Sequence, residues 1–255
     1  MIFYPQGIGG TAAEVALARP LYLLMPDATV IYVDSVSGLD GALPAGRSRS
    51  RPVATLAQAL ANSSNGGIIV LLSTHDETIS TAVSVAVQNL TIVGEGVDSN
   101  GLPSACLTVA DAVTTRGVYI NVSHVMIQNV RFKAATAALT KFVIQVNDAG
   151  CELEDCYFEG GQYNDAAMIN FDPDYADGLW LKRCTFVSTS AGTVLATAPR
   201  EALNVAATDG SMTLRLDDCV FDGGVTGFRD STGKPYATSF SAATGTVRVQ
   251  AMGTS

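Results

Sequence analysis

The stretch GCELEDCYFEG, residues 150–160, decides the fold of this chain, because its pattern recurs before and after it. Copies lie at residues 125–132, 179–186 and 214–221, and each reads apolar, any, apolar, polar, polar, Cys or Val, any, Phe. The closing phenylalanines are residues 132, 158, 186 and 221, so the periods are 26, 28 and 35 residues. A fainter copy begins at Leu90. The sequence therefore predicts five turns of one repeating structure.

Each period leaves room for two or three short strands and little room for a helix. Short runs rich in β-branched residues precede the copies at residues 116–122, 140–147, 166–171 and 200–206. The segments between the strands are rich in Asp, Gly and Thr, which favours turns. These features predict an all-β fold, a single-stranded right-handed parallel β-helix.

Equivalent residues of successive coils should stack at the strand spacing of about 4.8 Å. Three internal columns are predicted: Ile127, Leu153, Leu181 and Leu216; Val130, Cys156, Cys184 and Cys219; Phe132, Phe158, Phe186 and Phe221. A fourth set marks a corner where a left-handed backbone is expected: Asn129, Asp155, Arg183 and Asp218. Arg183 is the residue type that fits this corner least well.

The chain divides into four predicted parts. Residues 1–28 form an apolar N-terminal arm outside the repeats, residues 67–223 form the coils, and residues 224–255 form a C-terminal cap with a last strand at 246–249. Residues 29–66 hold a strand at 29–34, a loop, and a short capping helix at 53–61 whose apolar face carries Val53, Leu56, Ala57 and Leu60. Such a helix would cover the open edge of the stack.

Composition narrows the classes of function. The 255 residues carry a formal net charge of −9, which argues against general nucleic-acid binding. No segment has the roughly 20 apolar residues of a membrane span, and we expect neither a membrane partner nor a secretion signal. The five cysteines lack metal-ligand spacing, so we expect small buried side chains in a reducing cytoplasm rather than disulfides or reactive thiols. No cofactor and no metal is predicted.

The sequence resembles right-handed parallel β-helix proteins of the pectate-lyase-like superfamily. Three features carry the resemblance: the strand at Tyr32-Val33-Asp34 with its Gly/Pro loop and the helix at 54–60, the segment at 90–96, and coils of the 179–186 type. They cover roughly residues 29–223. The superfamily includes polysaccharide lyases, hydrolases, surface proteins, and trimeric spikes or decoration proteins of tailed phages, and the unrepeated arm is most similar to the phage virion members.

A lyase of this superfamily would be expected to hold calcium between carboxylates on adjacent coils. The polar column that would supply them reads Gln128, Glu154, Lys182 and Asp217. Calcium takes several oxygen ligands, so the cation of Lys182 argues against a site there.

A second candidate site lies before the only tryptophan. Asp172, Asp174 and Asp177 cluster next to Trp180, and aromatic rings beside carboxylates are typical of sugar contacts. The alternative is a coil corner, where Asp, Pro and Gly collect as turn formers. His75 and His124 are isolated in sequence and no nucleophile motif is present, which argues against a histidine-dependent triad.

An assembly interface is the third candidate. The loop that carries Arg47, Arg49 and Arg51, called the basic loop, could contact an acidic partner surface or could simply be exposed to solvent. The N-terminal arm could fold back on the body of the protein or be buried against a partner. The residues of this predicted interface are Phe3, Tyr4, Leu21, Tyr22, Leu24, Arg47, Arg49 and Arg51.

Two functions compete on this evidence. The first is a non-enzymatic structural virion protein of a tailed phage, a homotrimer on the virion surface that contacts capsid or tail proteins. The second is a tail-spike-like protein that binds or cleaves host surface polysaccharide through the aspartates and Trp180. A bacterial surface adhesin is disfavoured because no export signal is evident.

Overall fold

The computed structural model describes residues 29–110, 113, 116–134, 142–160, 167–171, 178–188, 201–205, 212–222, 226–230, 240–241 and 246–252. The backbone alone is described at 142, 160, 167, 171, 188, 201–205, 212–214, 216, 221–222 and in the strands beyond. The arm at 1–28 and the aspartates at 172, 174 and 177 lie outside the described residues.

In the described residues, twenty-one strands form three sheets, and one helix lies outside them. Sheet A contains β1 Val30–Val33, β2 Ile68–Leu71, β5 Thr91–Gly94, β8 Met126–Gln128, β11 Cys151–Glu154, β14 Leu179–Lys182, β17 Met212–Asp217, β21 Thr246–Met252 and β20 Phe240–Ser241. Sheet B contains β3 Asp76–Ile79, β6 Cys106–Val109, β9 Arg131–Ala134, β12 Tyr157–Gly160, β15 Thr185–Ser188 and β18 Val220–Asp222. Sheet C contains β4 Val83–Val85, β7 Arg116–Ile120, β10 Phe142–Val146, β13 Ala167–Phe171, β16 Glu201–Val205 and β19 Thr226–Asp230. Helix α1 spans Leu56–Asn62.

The chain visits sheets A, B and C in turn, so the fold is an all-β parallel β-helix. Neighbours within each sheet are parallel, apart from the antiparallel contact between β20 and β21. The strands from β2 to β19 make six coils rather than the five turns predicted, because the coil at residues 68–85 lacks the Cys-Phe pattern. Strands β19 and β21 continue the sheets past residue 223.

The predicted internal columns are present. The rings of Phe132 and Phe158 stack at 5.1 Å between centroids, and those of Phe158 and Phe186 at 4.7 Å. The same register places Phe221 next in line at the backbone, and Leu107 before Phe132. These rings are fully buried, so each contributes on the order of 1.5–3 kcal/mol by burial.

The second column contains thiols that bond across coils. The Sγ of Cys156 donates to the Ile127 carbonyl at 3.6 Å, and that of Cys184 donates to the Leu153 carbonyl at 3.3 Å. The five cysteines are free, as predicted. Four of them, Cys151, Cys156, Cys184 and Cys219, each contact a carbonyl of the preceding coil, whereas Cys106 contacts the Thr108 hydroxyl.

The corner between sheets A and B has the predicted left-handed backbone. Its residues have φ of 53°, 52°, 47° and 50° at Asn129, Asp155, Arg183 and Asp218. Asn and Asp adopt this conformation readily, and Arg183 adopts it with the same geometry. A similar corner precedes sheet A, where His124 has φ of 58°.

Helix α1 covers the start of the stack. Thr55 is its N-cap, and the Thr55 hydroxyl accepts a hydrogen bond from the Gln58 N–H at 3.2 Å. The helix begins at Leu56, so its buried stripe is Leu56, Ala59 and Leu60. The prediction that Ala57 lies on the buried face is wrong. Val53 lies before the helix, so the spacing from residue 53 does not determine which helical residues are buried.

The free edge of β1 is closed by the loop that leads into this helix. The N–H of Tyr32 donates to the Gly46 carbonyl at 2.7 Å, and the N–H of Val53 donates to the Tyr32 carbonyl at 3.0 Å. Main-chain groups that would otherwise template pairing with another strand are therefore satisfied within the chain. Among the described residues, no helix is long and apolar enough to cross a membrane.

Candidate functional site

The outer face of sheet A changes from apolar to charged along the stack. Two columns of outward-facing residues run across it in parallel register. The first is Val30, Ile68, Thr91, Met126, Glu152, Trp180 and Arg215, and the second is Tyr32, Val70, Val93, Gln128, Glu154, Lys182 and Asp217. The outward-facing residues are uncharged up to β8, and charged residues begin at β11. Charged chemistry is thus confined to the strands from β11 onwards.

Trp180 lies within this charged part. The Nζ of Lys182 is 3.5 Å from the centroid of its ring, and the guanidinium carbon of Arg215 is 4.2 Å from it. Lys182 also forms an ion pair with Glu152 on the preceding coil. Two cations therefore contact the half-buried indole by cation–π interactions, which reduces the ring surface left for a stacked sugar.

Arg183, at the neighbouring corner, binds the carboxylates of the preceding coil. Its Nε donates to Oδ1 of Asp155 at 2.7 Å, its Nη2 donates to Oδ2 at 2.8 Å, and it also contacts Glu154. Hydrogen bonds to Asp155 and then to Glu154 raise the pKa of the guanidinium. The residue type that fitted the corner least well thus forms a bidentate pair between coils.

The calcium column has the predicted register, and its geometry argues against a calcium site. Gln128, Glu154, Lys182 and Asp217 are consecutive partners across β8, β11, β14 and β17. The ammonium of Lys182 occupies the place between two carboxylate positions and already pairs with Glu152. In the part of the chain that the structure describes, no three His, Cys, Asp or Glu residues are grouped as a metal site.

Of the predicted glycan contacts, only Trp180 can be placed. Asp172, Asp174 and Asp177 fall between β13 and β14 outside the described residues, and the same holds for the arm residues Phe3, Tyr4, Leu21, Tyr22 and Leu24. Both sets stay predictions. Trp180 lies in β14 at an outward-facing position, three residues after Asp177 in the sequence.

The three arginines of the basic loop have different surroundings in the structure. Arg49 donates to both oxygens of Glu95, so its charge is used within the chain. Arg47 and Arg51 are exposed, and Arg51 closes a tight turn with its N–H donated to the Ser48 carbonyl at 3.0 Å. The interface predicted for Arg47 and Arg51 remains untested.

A buried polar group at the first coil escaped the sequence analysis. His75 is fully buried, and its Nε2 lies 3.2 Å from Oε2 of Glu77 without a hydrogen bond between them. Its Nδ1 accepts the N–H of Ser35 at 3.0 Å, and Glu77 accepts the N–H of Leu56 at 2.8 Å. His75 is therefore not isolated, as its sequence context indicated, but its burial suits a structural role.

Buried thiols are unsuited to nucleophilic chemistry. Burial raises the pKa of Cys151 to about 11, and it raises the pKa of Cys106. The pKa of Cys184 is raised, first through its contact with Cys156 and then through burial. The thiolate is the reactive form, so these side chains belong to the core.

The fold and its outer face define an all-β parallel β-helix protein with an ion-paired charged surface. No protein-family model and no curated protein matches the sequence. Among solved structures, the pectin methylesterase from Aspergillus niger is similar at 10% sequence identity and a TM-score of 0.36, over 89% of this chain and 87% of that one. The assignment of the fold rests on the strand pairing described above.

Proposed function

We propose that this chain is a non-enzymatic structural protein of a tailed-phage virion, a homotrimer that decorates or stabilises the capsid from the virion surface. The observation that carries the proposal is the pairing of charges on the outer face of sheet A. Lys182 pairs with Glu152, and Arg183 pairs with Glu154 and Asp155. Carboxylates held by neighbouring cations stabilise the stack and are poorly placed for general acid–base work.

The distribution of polar groups supports a structural role. Within the described coils, the ionisable pair with the deepest burial, His75 and Glu77, faces the capping helix rather than an open cleft. Arg131 is likewise paired, with Glu159 on the next coil. The Arg131 pair joins neighbouring coils, as do those of Lys182 and Arg183, which is what a rigid particle component requires.

The oligomeric state tests one part of the proposal. Sedimentation equilibrium of the purified full chain should give three times the chain mass of 26.5 kDa, independent of loading concentration above the dissociation range. A single-chain mass at all concentrations would contradict the trimer.

Immunogold labelling of intact virions, with an antibody against the purified protein, tests the location. Labelled capsids are expected, whereas label on tails alone or on neither structure would contradict the decoration role.

A second candidate function is binding or cleavage of host surface polysaccharide. It is favoured by Trp180, an aromatic ring that stays half-buried on the outer face beside the segment of Asp172, Asp174 and Asp177. Sugar stacking would require Lys182 or Arg215 to leave the ring.

This alternative is tested with host surface glycans and a chromatographic search for released oligosaccharides. Release that is lost in Asp174→Asn but kept in Asp76→Asn, an exposed carboxylate in sheet B, would replace the structural proposal by the enzymatic one. Binding without release, lost in Trp180→Ala, would indicate a lectin. Neither binding nor release is expected if the protein is purely structural.

A further inference from the structure

We propose that residues 1–28 dock, within the same chain, on an apolar patch of the outer face of sheet A. The outer patch consists of Val30, Tyr32, Ile68, Val70, Leu72 and Val93. The proposal concerns how the chain covers its own surface and is independent of the virion assignment.

The outer patch is separate from the internal core. Along β2, Ile69 and Leu71 face the core, while Ile68 and Val70 face outward and form a cluster of their own. This alternation is the ordinary geometry of a strand. The unusual feature is that both faces of β2 are aliphatic, which indicates that both faces are covered.

The outward side chains are buried. Ile68 is 2% exposed, Val93 is 6% exposed, and Val70 and Leu72 are each 7% exposed. Side chains on one face of a sheet touch one another sideways, so their tips stay open to solvent unless another segment lies on top. The described apolar residues that pack with the cluster are Val30 and Tyr32, which belong to the same sheet. Sideways contact within one sheet does not explain burial of this degree.

Thr29, the first described residue after the arm, lies beside the outer patch. The carbonyl of Thr29 accepts the N–H of Ile68 at 2.8 Å, so the described part of the chain begins at the border of the patch. The C-terminal strand β21 pairs with β17. Strand β21 therefore lies five strand spacings from β5, or about 24 Å along the stack. The first 28 residues can therefore cover the patch without a long connection.

The chemistry of the arm matches the patch. Residues 1–28 contain three charged side chains, Glu14, Arg19 and Asp27, together with an apolar run at 21–25 and a Phe-Tyr pair at 3–4. An apolar face of this kind has to be buried somewhere in water. Further along the same outer columns the residues are Gln128, Glu154 and Lys182, which offer no such surface.

The size of the patch favours a segment of this chain over a second copy. Six side chains at the spacings of a sheet cover about 200 Å². A stable interface between two proteins buries roughly 800 Å² on each partner. The patch alone is too small for such an interface, while an attached segment docks without the entropy cost of bringing two molecules together.

Disulfide trapping in the full-length chain tests the docking. Val70→Cys is combined in turn with Tyr22→Cys, Leu23→Cys and Leu24→Cys, and the matched control replaces Val70→Cys by Gln128→Cys, two strands along the same column. After mild oxidation, at least one pair with position 70 should give an intrachain disulfide, detected by peptide mass spectrometry, at several-fold higher yield than the control. A disulfide between two chains, or equal yields at 70 and 128, would overturn the proposal.

Thiol accessibility gives a second measurement that does not depend on cross-linking geometry. Cys at position 70 should react with a maleimide much more slowly than Cys at position 128 in otherwise unchanged chains. Adding Leu21→Asp and Leu24→Asp should speed the reaction at 70 and leave that at 128 unchanged, with the far-UV circular dichroism preserved. Equal reaction rates at the two positions, or a slow rate at 70 that the arm substitutions leave unchanged, would count against docking.

Discussion

Glu77 accepts the backbone N–H of Leu56 at 2.8 Å, which ties the first coil to the first turn of the capping helix. The same carboxylate faces the buried imidazole of His75. In the register of sheet B, Glu77 stands in the column that continues through Leu107 to the phenylalanines. The column of apolar side chains therefore ends in a carboxylate where the helix begins.

Replacing Glu77 tests this link. Glu77→Ala leaves the buried N–H of Leu56 without an acceptor and should lower the free energy of unfolding by about 2–3 kcal/mol. Glu77→Gln keeps an acceptor oxygen and should cost less. Urea unfolding followed by circular dichroism measures both. The exposed neighbour Thr78→Ala should change stability by less than about 0.5 kcal/mol, and an equal loss in Ala and Gln variants would show that charge matters more than the hydrogen bond.

The phenylalanine column should respond most strongly at its centre. Phe158 stacks on Phe132 and on Phe186, so Phe158→Ala should destabilise the protein by about 3–5 kcal/mol through lost burial and the cavity it leaves. Phe158→Leu should cost much less, because Leu107 already occupies this column in an earlier coil. Thermal unfolding compares the two with Thr185→Ala at the sheet surface. Similar losses for Ala and Leu would contradict the cavity explanation.

The cysteines should be unreactive in the folded protein. With a pKa of about 11, Cys151 would be roughly one part in a thousand thiolate at pH 8. Titration with Ellman's reagent should therefore release little colour before a denaturant is added and five equivalents after it. Fast reaction of one or more thiols in native buffer would contradict this, as would fewer than five after unfolding.

Arg183 separates backbone conformation from ion pairing. Arg183→Asn keeps a residue type that tolerates positive φ and removes an exposed ion pair, so the loss should be at most about 1 kcal/mol. Arg183→Val, with a β-branched side chain in the left-handed region, should cost clearly more. Unfolding in low and high salt distinguishes the causes: the small Asn effect should shrink in high salt, and the larger Val effect should persist.

Asp34 should make stability depend on acid. Burial alone would raise the pKa of Asp34, but hydrogen bonds from Ser37, Val36 and Thr74 outweigh it and lower the pKa below the ordinary 3.8. A lowered pKa in the folded state contributes stability that is present above the unfolded value and is lost as the pH falls through the folded value. Asp34→Asn should thus be less stable than the parent protein at pH 7, and the difference should shrink as the pH falls below the ordinary value of 3.8.

The exposed, non-titrating variant Thr78→Ala serves as the control for that series. Its stability difference from the parent protein should stay constant between pH 7 and pH 2.5. If the difference between Asp34→Asn and the parent stayed constant over this range, the hydrogen bonds of Asp34 would not be the source of the effect.

The inward-facing residues could be predicted from sequence, because a shift of one residue in strand register would expose their side chains to solvent. Moving Leu153 out of register would turn every inner side chain of its coil to solvent, so the columns of Leu, Cys and Phe show directly in the spacing. The coil at residues 68–85 lies within the predicted coil region but was not counted among the five turns, because it carries Glu77 where later coils have Leu107 or Phe132.

The contacts outside the core depend on pairs that are distant in sequence. His75 meets Ser35 across 40 residues, and Arg183 meets Asp155 across 28. No pattern in the sequence around either residue predicts these contacts. The outer patch was hidden for another reason: an uninterrupted apolar run at 68–72 looks the same whether one face is buried or both.

The closed edge at β1 gives the molecule a fixed starting point for counting coils. Tyr32 has its main-chain N–H and carbonyl taken by Gly46 and Val53, so at this residue the edge of β1 offers no free main-chain group to a further strand. Inserting or deleting one whole period, for example the residues between Leu153 and Leu181, would change the length of the rod by about 4.8 Å and leave the cap untouched. Gene duplication can thus alter how far the rod reaches from its capped end, in steps of one coil, without a new design for that end.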